Sequence, residues 1–454
     1  MNLKIKICLC ALPLALAGCA GTDPKDSLND VNRAVTERSG WPINGTNNNV
    51  VNILLQTNLT AQSAVTIALM NNGSMQAKYE EIGISQAELA QASRLHNLDF
   101  FGSWRFPNRP PSAVDAEYSV TADFLDLLTL PARKKIAKRN LEESKLEVAD
   151  AVLKLAAETQ EQFYNLQAEM ELAKKLETIV AANELAADFA RRQYDAGNIN
   201  DLELHTREAS AMESRLGLME ANARVKMERE KLNRLLGLSG AQINWQIANE
   251  LPPLPEKELL PADLESTAVN QRLDLAASRA RAESMAAALR LKQHTRFIPG
   301  AVIGVDTERT PDGQRVTGPT LDLELPIFDQ GQPAIAKLAA EYEQAKDNYT
   351  ALETNVRSEV REAGNALLAA REAVNFSQQT LLPMQKQILG ETLMQYNAMQ
   401  KNSFDLLVSK EHEQEAEQTA VTALRDYWIA RVELERVVGG NLASENNQPE
   451  RNMP

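Results

Sequence analysis

The stretch Gln193-Tyr194-Asp195-Ala196-Gly197 returns later in the chain as Gln395-Tyr396-Asn397-Ala398-Met399. At each copy one long helical pattern stops and another begins. A shift of 202 positions superposes this tip and much of the helix after it: Leu204 falls on Leu406, Glu213 on Glu415, Arg229 on Arg431 and Gly237 on Gly439. Leu232-Asn233-Arg234 likewise falls on Leu434-Glu435-Arg436. A fixed, gap-free offset of this length points to an internal duplication. Two helical hairpins, one per half, are the frame on which the rest is read.

The arms leading to each tip carry a coiled-coil rhythm. Tyr342, Ala345, Tyr349, Leu352, Val356, Ala363, Leu367, Ala370, Val374, Ser377 and Leu381 follow a heptad spacing with one step missing at Glu359. The first-half counterpart passes through Val152, Leu155, Leu166, Ala173, Leu176, Val180 and Ala187 toward Tyr194. At about 1.5 Å per residue, Pro131 to Tyr194 and Gly331 to Tyr396 predict rods on the order of 90–100 Å. Pro383 falls on Ala181 under the offset, so a kink is expected in the second rod alone.

Ahead of each rod the period changes to two. Leu98, Phe100, Trp104 and Phe106 alternate with Asp99, Ser103 and Arg105, and Tyr118, Val120, Ala122 and Phe124 alternate with Glu117, Ser119, Thr121 and Asp123. Ala301, Ile303 and Val305, then Leu321, Leu323 and Leu325, repeat the arrangement, with Asn108-Arg109-Pro110-Pro111 and Pro311-Asp312-Gly313 as the turns. Each run is about the 9–11 residues that a tilted membrane strand needs. Four strands cannot close a barrel within one chain, and open edges are not tolerated in lipid, so a membrane reading requires several copies sharing one sheet. The other reading is a small soluble β-domain with one face on a helical core. Before the strands, single helices are expected from Thr60 to about Leu95 and from Pro261 toward Leu291.

At the start of the chain, Lys4 and Lys6 precede the apolar run Ile7 to Leu16, which ends in Leu16-Ala17-Gly18-Cys19. This has the layout of a signal peptide and the form of a bacterial lipobox, with cleavage after Gly18 and lipid on Cys19. Cys8 and Cys10 would leave with the signal, so no disulfide framework or Cys-based metal site is expected. Ala20 after the Cys favours the outer membrane by analogy with bacterial lipoproteins. The formal net charge of −14 argues against nucleic acid, and aromatics at 5% suit long packed helices.

The expected organisation is a signal over 1–18 and a tether over 19–59 that is mostly irregular, with a short helix near Leu28 to Glu37. A first repeat follows over 60–239 (hairpin about 97–125, helical hairpin about 130–237), then a Pro-rich linker over 240–260. A second repeat covers 261–440 (hairpin about 296–327, helical hairpin about 330–439), ahead of a disordered tail over 441–454.

This order of lipobox, helix, β-hairpin and long helical hairpin, then the same again, resembles the TolC-type outer-membrane efflux duct. The likeness covers roughly Thr60 to Gly440. Its most specific features are the duplicated tip, the phrase Leu325-Pro326-Ile327-Phe328-Asp329-Gln330-Gly331 and its weaker echo Leu130-Pro131-Ala132-Arg133-Lys134. The resemblance implies a mainly α protein with a membrane β-barrel part: a homotrimer sharing twelve strands in the outer membrane and twelve helices across the periplasm. It also implies a periplasmic adaptor and an inner-membrane pump as partners, contact with outer-membrane lipid, and no cofactor.

Carried over through the shared Tyr, Asp405 corresponds to a pore-facing acidic gate residue of that family. Lys401 and Glu203 correspond to a pair joining neighbouring hairpins, and Tyr194, Gly197 and Tyr396 to tip closure and adaptor contact. Met399 stands where the family has Gly, and Val408 where a second gate acid can occur, so the gate here is less acidic or built differently.

No Gly-rich phosphate loop, GxSxG or HExxH is present, and His96, His205, His294 and His412 are scattered, so neither an enzyme nor a metal site is expected. A passive exit duct for efflux is the leading reading. The exit duct of a type I protein secretion system and a structural trimeric coiled-coil lipoprotein are the alternatives.

Overall fold

The computed structural model describes residues 24–42, 48–111, 113–257, 263–298 and 300–441. The expected signal and Cys19, residues 43–47 of the expected tether and the expected tail after 441 lie outside them. The described chain is mainly α with one antiparallel sheet, and its elements come in duplicate. Helices α1 (Pro24–Ser39) and α2 (Asn48–Leu55) lead into α3 (Ala61–Asn71) and α4 (Gly73–Ala92). Strands β1 (Asp99–Arg105) and β2 (Asp115–Asp123) follow, then the long helices α5 (Phe124–Asp195) and α6 (Asp201–Leu236). The second half repeats this as α7 (Leu264–Gln271), α8 (Leu273–Thr295), β3 (Ala301–Arg309), β4 (Arg315–Leu323), α9 (Gln332–Phe376), α10 (Leu382–Asn397) and α11 (Ser403–Val438). The chain divides into two compact units. One comprises the segment ending at Asp30 with Glu81–Lys145 and Ala280–Gln344; the other comprises Val31–Glu80, Leu146–Arg279 and the chain from Ala345.

The first unit holds the sheet, in the order β1-β2-β3-β4 and antiparallel throughout. The register opposes Phe100 to Val120, Val120 to Val305, Ala122 to Ile303 and Ile303 to Leu321, so the apolar positions of all four strands share one face. That face is bare: Phe100 is 68% exposed, Trp104 55%, Val305 55% and Leu321 64%. The opposite face carries Asp99, Asp115, Glu117, Asp123, Asp306, Glu308 and Asp322, with Arg105 bonded to Glu117 at 3.2 Å. Among the described residues β1 and β4 each have a single strand neighbour, so the sheet keeps two open edges.

Where β2 ends, sequence alternation runs on through Phe124, but the structure turns helical there. The Asp123 carboxylate accepts the Leu125 N–H at 2.8 Å and starts α5 directly, which leaves Pro131 inside the helix and not at its beginning. In the second half the stretch 324–331 separates β4 from α9. Asp126, in the first turn of α5, accepts the backbone N–H of His96 at 2.9 Å, contacts the His96 ring and pairs with Arg133 at 3.1 Å. Burial pushes its carboxyl up, but these hydrogen bonds and the Arg133 charge outweigh that and hold it below the usual range.

In the second unit, the expected single helices before the strands are each two. Asn72 is extended (φ −68°, ψ 117°) and its Oδ1 accepts the Met75 N–H at 3.0 Å, so it closes α3 and caps α4. Arg272, φ −63° and ψ 126°, makes the same break between α7 and α8. Both breaks are packed against the end of a long helix. Gly237 at φ +65° ends α6 with its Cα hydrogen directed at the Asn71 carbonyl, and Gly439 at φ +85° ends α11 against Arg272.

The Pro-rich stretch between the repeats is a packed strap. Trp245 is 2% exposed and donates to Asn233 Oδ1 at 2.9 Å; Gln167 donates to the Ala248 carbonyl, Trp428 to Pro252 and Arg371 to Pro255. Part of the tether is ordered too: α1 buries Val31 and Val35, and α2 buries Val51.

The heptad positions Val356, Ala363, Leu367 and Val374 are buried, and Val360 fills the step missing at Glu359. At Pro383 the structure shows a change of winding. Residues Ser377–Leu381 form a π turn in which the Leu382 N–H reaches back to the Ser377 carbonyl, and Pro383 then sits in the first turn of α10, where a missing N–H costs little.

Candidate functional site: the paired hairpin tips

The two tips are built alike to the level of single hydrogen bonds. Gly197 N–H donates to Tyr194 O at 2.8 Å and Asn198 N–H to Gln193 O at 2.9 Å; Met399 donates to Tyr396 O and Gln400 to Gln395 O, both at 2.9 Å. Each returning helix is capped by an Asn in nearly the same conformation, Asn200 (φ −94°, ψ 172°) and Asn402 (φ −93°, ψ 171°). The turn needs a left-handed residue, and the halves answer differently: Gly197 has φ +76°, while Met399 takes φ +61° with its side chain 94% exposed.

Glu203 and Asp405 occupy the same position of the duplication, the third residue of the returning helix. Asn200 Oδ1 accepts the Glu203 N–H at 2.9 Å, and Asn402 Oδ1 accepts that of Asp405 at 2.8 Å. Asp405 also returns the bond, its Oδ2 accepting the Asn402 N–H at 3.1 Å in a capping box. Lys401 lies 3.9 Å from Asp405, and no Glu203–Lys401 contact forms within the chain. Asp405 is thus held by its own helix start as well as by charge. The S/T/N-x-x-D spacing of Asn402 to Asp405 carried that signal in the sequence.

Around the first tip, Tyr194 shares a hydrogen bond with Asp201 that raises its hydroxyl pKa, and Arg191 bonds Glu208 and holds that carboxyl low. Tyr194 is 37% and Tyr396 38% exposed. Farther along, Glu417 on α11 meets Lys175 of α5 at 3.0 Å and Lys386 of α10 at 3.9 Å, and Ser409 donates to Thr392 at 3.1 Å, tying α11 to α10. The guanidinium of Arg207 on α6 lies over the Phe404 ring of α11, 3.7 Å from its centroid. Among the described residues no cluster of His, Cys, Asp and Glu is arranged to hold a metal, and no helix is long and apolar enough to cross a membrane.

The four-stranded sheet with one apolar face and the two long helical hairpins with matched capped tips make up a fold shared with solved outer-membrane channels. The chain aligns with the Campylobacter jejuni CmeC outer membrane channel at a TM-score of 0.73 and 17% identity, covering 84% of this chain and 86% of that one. The outer membrane protein VceC of Vibrio cholerae gives 0.70 at 15% identity, covering 84% and 97%, and the open-state MtrE channel of Neisseria gonorrhoeae gives 0.67 at 18%, covering 84% and 89%. Residues 85–238 match the model of the outer membrane efflux protein family. No curated protein sequence matches the chain. The fold is that of the solved outer-membrane channels, and the family likeness in sequence is carried by the first half of the chain.

Proposed function

We propose that three copies of this chain form the outer-membrane exit duct of a tripartite efflux system. The observation that carries this is the sheet: an exposed apolar face and two open edges are tolerable only if lipid covers the face and neighbouring strands complete the edges. Three four-stranded sheets close a twelve-stranded barrel, and a threefold ring leaves no edge. The acidic face then lines the lumen. Trp104 and Tyr118, joined by a 3.0 Å hydrogen bond, supply aromatic side chains of the kind that sit at a membrane interface.

Substrate arrives from an inner-membrane pump through a periplasmic adaptor that meets the tips at Tyr194, Gly197, Glu203, Tyr396 and Lys401, and it leaves without chemistry. Cys19 carries the lipid anchor. Asp405 supplies three carboxylates round the axis at the constriction and favours cations there.

Single-channel conductance of the full-length protein in planar bilayers tests the reading. A small cation-favouring conductance that grows or loses its cation preference in Asp405→Ala is expected. Silence from intact trimers of both proteins would leave a lipid-anchored structural rod.

A further inference from the structure

Charge is unevenly placed in the unit that holds the sheet. Pro131 to Leu141 carries Arg133, Lys134, Lys135, Lys138 and Arg139 with no acid, and Ser284 to Ile298 carries Arg290, Lys292 and Arg296 with none, in a chain of net charge −14. Both stretches flank the helix end of the sheet, where α5 leaves β2 and α8 leads into β3. At the turn end the signs are mixed, and Arg105 pairs with Asp115 at 3.5 Å and with Glu117. At the helix end Arg133 and Arg139 pair with Asp126 and Glu283. Among the described residues, however, no carboxylate lies within ion-pair distance of Lys134, Lys135, Lys138, Arg290 or Lys292.

On α5 the exposed residues form one stripe. Leu127, Leu128, Pro131, Lys134, Lys135 and Lys138 are spaced as one helix face, while Ala137 and Leu141 are buried behind it. The leucines come first and the lysines about two turns later, roughly 10 Å farther from the sheet. Helix α8 runs the other way and gives the same order: Arg290 is exposed on the helix, and Phe297 and Ile298 are exposed beyond its end, beside β3. The Arg296 guanidinium lies 4.2 Å from the centroid of the Phe297 ring, so cation and apolar surface are joined there. After β4, Ile327 is exposed and Phe328 is 99% exposed. Two acids, Glu324 and Asp329, stand at this level, and Asp329 is turned onto its own loop, where it accepts the Gly331 N–H at 2.7 Å. Apolar side chains followed by cations about 10 Å away match the step from acyl chains to phosphates in a bilayer, and lysine stems reach across it.

We propose that this cationic collar is a docking surface for anionic phospholipid headgroups, whose phosphates meet Lys134, Lys135 and Lys138 of α5 and Arg290 and Lys292 of α8. The acyl chains then cover Leu127, Leu128, Phe297, Ile298 and Phe328, and the collar fixes how deep the sheet sits in the membrane. A soluble acidic protein would match the charge and leave the apolar residues bare, whereas a lipid surface accounts for both. The proposal rests on the membrane reading of the sheet, and its test separates the two.

The full-length protein is reconstituted into phosphatidylcholine vesicles that carry a trace of spin-labelled phosphatidylglycerol or of spin-labelled phosphatidylcholine. Electron paramagnetic resonance separates lipid restricted at the protein surface from bulk lipid. Wild type is expected to restrict both labels and to prefer phosphatidylglycerol about 5-fold, as one cation contact per headgroup implies, with the preference shrinking at about 1 M salt. Lys134→Gln/Lys135→Gln/Lys138→Gln, and separately Arg290→Gln/Lys292→Gln, should each lower the preference. A control that removes two exposed lysines of the other unit, Lys174→Gln/Lys226→Gln, should keep the wild-type value. Equal restriction of the two labels by wild type would overturn the collar and leave the membrane sheet intact. A wild-type preference that survives in both collar variants would also overturn it, since the phosphates would then lie elsewhere. No restricted lipid of either kind would overturn it through failure of the membrane reading itself.

Discussion

Gly237 and Asn71 meet backbone to backbone. The glycine that ends α6 lies so near the Asn71 carbonyl that no β-carbon fits between them, and Asn71 returns a 2.7 Å hydrogen bond from its side chain to the Gly237 carbonyl. Gly237→Ala adds a collision with a rigid backbone atom to a left-handed φ that alone costs about 1–2 kcal/mol. Gly439→Ala meets the Gln271 and Arg272 backbone at 3.2 Å, a tight contact that a shift of a few tenths of an ångström relieves. Thermal unfolding followed by circular dichroism is expected to show the larger loss for Gly237→Ala. Equal losses would mean that φ alone decides.

Met399 takes a conformation that its twin gives to glycine. Relieving it with Met399→Gly should stabilise the second tip by about 1 kcal/mol, and Gly197→Met should destabilise the first by a similar amount. Slower amide exchange at residues 396–402 in Met399→Gly is the expected result. No change would show that the left-handed methionine is unstrained.

Lys401 stands 3.9 Å from the Asp405 carboxylate that we propose for the gate, so it partly cancels that charge. Removing it with Lys401→Met is expected to increase cation preference, most clearly at low ionic strength. Reversal potentials under a salt gradient measure this directly. A shift toward anions would place Lys401 and Asp405 in separate environments.

Glu161 on α5 is pushed up to about 7 by burial, with Glu433 and Glu158 adding like charge and Arg436 opposing. Its folded form therefore holds a proton more tightly than the unfolded chain does. The stability this contributes is full below its ordinary 4.5 and is lost as pH rises through about 7. Melting temperatures measured from pH 4 to 8 should fall less steeply in Glu161→Gln than in wild type. Parallel curves would rule the group out.

How far the sequence carried the reading depends on where each feature is stored. The duplication, the four strands and the heptad seams are written in periodicity, because side chains that share a face must recur at the period of the backbone. The breaks at Asn72 and Arg272 are not: Asn72-Gly73 is a turn signal that interrupts no period, and Arg272 is not a helix breaker at all. Asn72 leaves the helix because its side chain caps α4 and reaches the Leu235 carbonyl at 2.9 Å, a contact from 163 positions away. Phe124 read as strand because aromatic alternation ran through it, while the deciding group was the Asp123 carboxylate beside it. At the tips, the resemblance singled out Glu203 and Asp405 for separate roles, while the structure shows that they are one helix-start position used twice. Arg207 and Phe404 carried no signal at all, because nothing local distinguishes a cation that will meet a ring from one that will meet water.

The turn at Ser377–Leu381 has a consequence for where the second tip aims. A π turn carries one residue more than the helix around it, and one residue is about 100° of rotation about the axis. The phase set by Val356, Leu367 and Val374 therefore stops at Ser377, and α10 starts a new one after Pro383. The direction in which Tyr396 and Met399 face is fixed by that single extra residue of winding. A chain shortened by one position there would keep its seam and its caps and present a different side of the tip to whatever docks on it.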